Sequence, residues 1–281
     1  MNNYFLKALN QENEAPYIPV WLLRQAGRYM PEYREVRSQY KDFFEMIKKP
    51  EICKELTLQP LNAFDLDAAI TFTDILTIPD ALGLKVNFVK GKGPIFEKSL
   101  SSMDKLDLNT NEFHDKIQYV YSATSLIKEN VNVPLIGFTG SPWTLFVYMF
   151  YGQSPKDFKS IQSYISENSR DAETYLQILT DCCIEYAKKQ VQHGADCIQI
   201  FDSWAGILEN NYVDFSLKYV NQIYEALNGE VPLILYNRGK LLSTFIHESS
   251  FKAYSINSSD QIENYIDEDI TIQGNLNPDF F

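Results

Sequence analysis

Short apolar runs rich in β-branched residues alternate along this chain with longer stretches whose apolar positions recur at helical spacing. IPVWLL (18–23), AAITFTDIL (68–76), PLIGFTG (134–140), DCIQIFDSW (196–204), VPLILYN (231–237), KAYSIN (252–257) and ITIQGN (270–275) predict strands. The longest intervening pattern, DAETYLQILTDCCIEYAKKQVQHG (171–194), predicts an amphipathic helix ended by Gly194. Strands apolar on both faces and separated by helices imply a parallel sheet with right-handed crossovers. Such units along 281 residues, with no GxGxxG after the first strand and no Walker sequence, predict one (β/α)8 barrel domain over residues 1–281. The strand count is one short, because the chain stops at QGNLNPDFF just after the last candidate. The expected barrel therefore lacks its last C-terminal strand/helix unit, which would leave sheet edges uncovered.

Composition narrows the function. No apolar run reaches the eighteen or so residues that span a bilayer, and MNNYFLKALNQENEAP lacks the basic and apolar regions of a secretory leader, so a cytoplasmic protein with no membrane partner is expected. A net charge of -12 argues against nucleic acid, which needs a continuous basic surface. Cys53, Cys182, Cys183 and Cys197 show no CxxC spacing and read as reduced thiols. His193 and Cys197 are four apart, but Gly194 falls between them at a helix end, so no metal is expected there; His114 and His247 form no ligand pattern either. GKGP (91–94) is too short to cradle a phosphate and reads as a turn.

Against that acidic background, WLLRQAGRYMPEYREVR (21–37) gathers Arg24, Arg28, Arg34 and Arg37. Guanidinium grips carboxylate or phosphate with paired hydrogen bonds, so the cluster reads as an anion site; an exposed helix face paired with Glu32 and Glu35 accounts for the spacing equally well. If RQAGRY turns helically, Arg24 and Arg28 share a face. In a parallel barrel the reacting groups sit at the C-terminal ends of the strands. Asp74 stands there, suited to accepting ligand N–H groups or stabilising a cation, or else to forming a turn. Tyr148, Phe201 and Ser203 offer a hydroxyl, a ring and a second hydroxyl for a pocket wall, although aromatic residues at such positions are more often core. No GxSxG elbow surrounds Ser203, so it is not read as a nucleophile.

Taken in order, PVWLLRQAGRYMPEYREVR, TFTDILTIPDALGLKVNF, GKGPIF, GFTGSPWTLFVYMF, GADCIQIFDSWAG, YNRG and QGNLNP resemble the uroporphyrinogen decarboxylase family over nearly the whole chain. The resemblance implies a single-domain (β/α)8 barrel, usually a homodimer, that decarboxylates the four acetates of uroporphyrinogen III to coproporphyrinogen III without metal or organic cofactor. It implies Arg24, Arg28 and Arg37 as carboxylate-binding arginines, Arg37 also being a candidate proton relay. It further implies Asp74 as the essential aspartate, Tyr148 and Ser203 as pocket hydroxyls, and Phe201 as a pocket ring. The family pattern continues past QGNLNP into a strand with a His-Gly pair, and it usually places Asp-Trp where this chain has Asn257 and Ser258. Two alternatives stay open: a corrinoid-dependent methyltransferase of the same fold, which would need a His/Cys zinc site, and a degenerate porphyrin-binding non-enzyme.

Overall fold

A computed structural model describes residues 3–12, 16–89, 91–100, 110–227, 229–239 and 245–277. Parts of two sequence motifs lie outside the described residues: positions 1–2 and 13–15 of the opening segment, and Pro278 of QGNLNP.

Six strands form one parallel sheet in the order β1 (Ala69–Ile70), β4 (Leu135–Gly140), β5 (Cys197–Asp202), β6 (Leu233–Asn237), β7 (Ala253–Ser255) and β8 (Thr271–Gln273). Six of the seven apolar runs are therefore strands, paired with their sequence neighbours as crossover connections require. The remaining run, 18–23, is a correction: it is irregular and touches the sheet through the Asp67 N–H donated to the Val20 carbonyl (2.8 Å). In the other direction Val20 N–H bonds the Asp67 carboxylate (2.8 Å) rather than a backbone carbonyl, so no ladder forms. Trp21 reaches across to the far edge of the sheet, its indole N–H donating to Gln273 Oε1 on β8 (3.0 Å).

The sequence reading also passed over a hairpin. β2 (Val86–Val89) and β3 (Gly93–Phe96) pair antiparallel around the GKGP turn, outside the main sheet. Alternating Val86 and Phe88 ahead of a glycine-rich turn carry that signal.

The helices are α1 (Tyr4–Leu9), α2 (Pro31–Ser38), α3 (Phe43–Ile47), α4 (Pro50–Ala63), α5 (Thr77–Pro79), α6 (Thr110–Lys128), α7 (Pro142–Tyr151), α8 (Lys159–Glu167), α9 (Ser169–Gln192) and α10 (Lys218–Leu227). The expected 171–194 helix is α9, and Gly194 follows it at φ +106°, where a side chain would collide with Lys128.

Strand alternation sorts the sheet's two faces. Ile198, Ile200, Leu233 and Leu235 pack outward into the large core shared with the helices. Ile136, Cys197, Ile234 and Ala253 face inward, where Phe5 and Leu9 of α1 plug the end from which the strands start. The inward column continues upward through Phe138, Gln199, Phe201 and Tyr236; Phe201 packs edge-on against Phe138 (5.4 Å) and Tyr236 (5.7 Å). Gln199 on β5 accepts a hydrogen bond from Gln273 on β8 across the interior (2.9 Å), so the sheet is curled as the barrel reading requires. With α1 packed at the end where the strands start, the strands' C-terminal ends are where a site is expected.

Candidate functional site

Asp74 follows β1 in a tight turn. One carboxylate oxygen accepts the Leu76 N–H (2.8 Å), while its carbonyl accepts the Thr77 hydroxyl (2.9 Å) and N–H (3.2 Å). The turn-forming reading of Asp74 holds, and the turn uses one carboxylate oxygen and, among the described residues, leaves the other without a hydrogen bond. Burial pushes the carboxyl up to about 6, against the opposing pull of the Leu76 N–H and the Arg24 guanidinium. A carboxylate held this way can accept N–H groups or stabilise a cation while remaining ionised at neutral pH.

Arg34 and Arg37 share α2, but Arg24 and Arg28 do not lie on a helix. Residues 21–30 run as turns, and helix begins only at Pro31, whose fixed φ suits the first helical position. The expected common helical face for Arg24 and Arg28 is therefore corrected. Gln25 anchors the loop from beneath through its side-chain N–H to the Ala68 carbonyl (3.0 Å), and the Tyr29 hydroxyl donates to the Gln25 carbonyl. Arg34 braces it from α2, one guanidinium nitrogen donating to the carbonyls of Arg28 (2.8 Å) and Tyr29 (3.1 Å). Four arginines in one segment thus divide their labour: Arg34 shapes the loop that carries Arg24 and Arg28.

Arg24 and Arg28 are exposed and Arg37 is half-buried. Arg24 acts on Asp74, whereas Arg28 and Arg37 converge on Tyr33, whose phenol they pull down against the stronger upward push of burial. Tyr33 packs on Phe72, two residues before Asp74, which joins the two groups (5.9 Å). Arg37 also donates to the Tyr40 carbonyl at 2.6 Å.

The facing wall is built from β5 and α7. Phe201 and Ser203 take the inward parity and Asp202 the outward one. Asp202 is fully buried behind the wall and accepts hydrogen bonds from Ser141 (2.6 Å), Ser216 (2.7 Å) and Thr144 (3.4 Å). Burial raises its carboxyl to about 6, opposed by those hydroxyls and by that of Tyr212. Ser141 simultaneously caps α7 by accepting the Thr144 N–H (2.9 Å), with Pro142 at the first helical position. Asp202 therefore fixes the start of the helix that carries Tyr148. Tyr148 is half-buried, its ring edge-on to Trp204 (5.9 Å). Burial and the Asp74 charge raise its phenol, while Trp204, Ser154 and Arg238 lower it.

Asp74, Arg24 and Tyr148 are thus gathered, Phe201 lies on β5 with Ser203 just past its end, and Arg28 with Arg37 form a neighbouring group at Tyr33. Sequence reasoning did not assign Asp202, Trp204 or Arg238. Inward–outward alternation places Asp202 outside and Ser203 inside once Phe201 is taken as a pocket ring. His193 and Cys197 are apart in role: the His193 ring nitrogen pairs with Ser125 (2.8 Å), and Cys197 is buried among the inward residues near α1. Among the described residues no group of three His, Cys, Asp or Glu could hold a metal ion, and no helix is long and apolar enough to cross a membrane.

Comparison with known proteins places the chain in a family. In fold, the chain is similar to a methyltransferase from Methanosarcina mazei, with a TM-score of 0.78 at 20% identity over 97% of this chain and 81% of that one. In sequence, it is 40% identical to a uroporphyrinogen decarboxylase of Francisella tularensis subsp. novicida over all of this chain and 84% of the relative. It is 41% identical to that of Ruthia magnifica over 92% and 79%. With the enzyme of Hydrogenovibrio crunogenus, identity is 40% over 99% and 82%. The profile of the family described as uroporphyrinogen decarboxylase (URO-D) matches residues 1–281, and the chain belongs to that family.

Proposed function

We propose that this chain removes carbon dioxide from the four acetate side chains of uroporphyrinogen III to give coproporphyrinogen III, with no organic or metal cofactor. The observation that carries the reading is Asp74, a carboxylate at the open end with an oxygen to spare and Arg24 acting on it, in a chain of this family.

Decarboxylation needs a place for the electron pair of the breaking C–C bond. Protonating the pyrrole carbon beside the acetate makes the ring that place: carbon dioxide leaves, the pair flows into the cationic ring, and an exocyclic methylene remains. A proton delivered to the methylene gives the methyl group, and the ring carbon returns its proton, so each acetate consumes one proton in total. Asp74 accepts the pyrrole N–H groups at the centre of the macrocycle and stabilises the cationic ring. Arg24, Arg28 and Arg37 hold peripheral carboxylates, and Arg37 also serves as the proton relay. Tyr148 and Ser203 orient polar groups, and Phe201 backs the ring.

The substrate carries eight carboxylates and the protein a net charge of -12, so long-range forces oppose binding. Screening over about 8 to 10 Å mutes the distant charges while the rim arginines act at contact. A homodimer in the cytoplasm completes the reading.

Anaerobic incubation of the purified chain with uroporphyrinogen, followed by chromatography of the oxidised products, tests it. Species with seven down to four carboxyl groups are expected. Bound octacarboxylate that never loses a carboxyl group would instead mark a porphyrin-binding non-enzyme.

A further inference from the structure

We infer that Arg238 is a further substrate-binding residue, gripping a carboxylate on the side of the macrocycle opposite the first-loop arginines. The inference rests on the decarboxylase reading above. In β5 and β6, Phe201 pairs in register with Tyr236 and both face inward. Two residues further on, just past the ends of the two strands, Ser203 and Arg238 stand at the open end of the barrel, and the Arg238 charge reaches Tyr148 there. Of the two residues that follow each of β4 to β8, Arg238 is the one that carries a charge. A disc with carboxylates around its whole edge, centred on Asp74, presents some of them to this wall, where no first-loop arginine stands.

The backbone under Arg238 is held on both sides. Its N–H donates to the Asp202 carbonyl (3.3 Å) and its carbonyl accepts the Gly206 N–H (3.2 Å). The approach is so close that a Cβ at Gly206 would sit 2.7 Å from that carbonyl oxygen, which explains glycine there. From the other side, the Asn257 side-chain N–H₂ donates to the carbonyls of Asn237 (3.2 Å) and Gly239 (3.1 Å), bracketing Arg238. Asn257, one of the chain's departures from the family pattern, thus has a definite task. Asp260 in turn fixes Asn257, accepting its backbone N–H (2.8 Å) and its side-chain N–H (3.1 Å). The Arg238 side chain itself is exposed and forms no ion pair among the described residues. A guanidinium without an ion pair among the described residues, rising from a backbone pinned at three consecutive residues, is suited to meet an anionic ligand.

Fluorescence titration with uroporphyrin, the oxidised octacarboxylate that is not turned over, and with coproporphyrin, the tetracarboxylate, tests this on the full chain. Arg238→Gln should weaken uroporphyrin binding about tenfold, with a shallower salt dependence and a smaller effect on coproporphyrin. Arg238→Lys should recover part of the loss, since it keeps the charge without the paired geometry. Where Arg238→Gln fails to fold, the Lys variant still distinguishes the cases by binding between wild type and background. Arg170→Gln, the same charge change on exposed α9, should bind as wild type. Unchanged binding by Arg238→Gln, or an equal loss in Arg170→Gln, overturns the inference. Wild-type protein that neither binds nor decarboxylates would overturn the decarboxylase reading itself, an outcome separate from an active wild type beside an unaffected Arg238→Gln.

Discussion

The two walls of the barrel mouth are built on opposite principles. The first-loop wall, irregular over residues 21–30 and helical in α2, presents exposed arginines and is held largely by side chains bonding backbone carbonyls: Gln25 to Ala68, Arg34 to Arg28 and Tyr29, Arg37 to Tyr40. The β5–α7 wall is regular, and its organising group is the buried carboxylate of Asp202, which holds the hydroxyls of Ser141 and Ser216 at 2.6 and 2.7 Å. One wall carries exposed charge, and the other spends the Asp202 carboxylate internally, fixing the start of the helix that carries Tyr148. Asp74 spends one oxygen on its own turn and, among the described residues, leaves the other without a hydrogen bond. The contrast teaches that a carboxylate's surroundings, more than its position at a strand end, decide whether it does chemistry or architecture. Burial raises both Asp74 and Asp202 to about 6, yet only Asp74 has an oxygen left over.

The sharpest way to break that distinction is to neutralise each carboxylate in turn. Asp74→Asn keeps an oxygen for the Leu76 N–H and so keeps the turn, while removing the negative charge. Turnover should fall by about 10²–10³-fold, roughly 2.7–4 kcal/mol of transition-state stabilisation, with little change in the urea midpoint. Product formation close to wild type would move Asp74 to the architectural class.

Asp202→Ala should do the reverse. It strands two buried serine hydroxyls and weakens the cap of α7, so it should cost on the order of 3 kcal/mol in urea unfolding. Asp202→Ala that unfolds like wild type but loses turnover would mean that Asp202 faces the ligand after all.

How far the sequence reveals these roles differs between the walls. The barrel was legible because β4 to β7 are buried on both faces along nearly their whole length and read as apolar runs, with the part-buried β1 and β8 at the edges of the same pattern. The run 18–23 reads the same way but lacks the backbone partner that makes a strand, and Ile18 is 86% exposed. Arg24, Arg28, Arg37 and Asp74 were legible because charge in an apolar or acidic setting is conspicuous. Their geometry was not: a helix through RQAGRY was a reasonable expectation from spacing, and only the Gln25 and Arg34 bonds show why turns prevail. Asp202 was least legible, because FDSW states which residues end the strand but not that Ser141 and Ser216, far off in sequence, wait behind it. Arg238 stood in the YNRG motif, yet its significance depends on the β5–β6 register and on Asn257, which are tertiary facts.

The smallest expected effect concerns how the charged wall tunes Asp74. Because burial raises the Asp74 carboxyl above its ordinary value, the native state holds a proton that the unfolded chain releases between about pH 4 and 6. Asp74 therefore lowers stability as pH rises through that window, and Asp202 contributes with the same sign. Activity runs the other way, since stabilising a cationic ring requires the ionised carboxylate, and kcat/KM should climb through an acid limb near pH 6. Arg24 pulls Asp74 down, so Arg24→Gln should shift that limb to higher pH and deepen the loss of stability across the window. Near pH 6 the variant should lose less than about tenfold in kcat/KM through this effect, and raising the pH should restore that part but not the part due to a lost carboxylate contact. Arg28→Gln, whose charge acts on Tyr33, should leave the limb where it is. If both variants moved it equally, the arginines would act on Asp74 as one diffuse field, and the division between Arg24 at the carboxylate and Arg28 with Arg37 at Tyr33 would have no functional meaning.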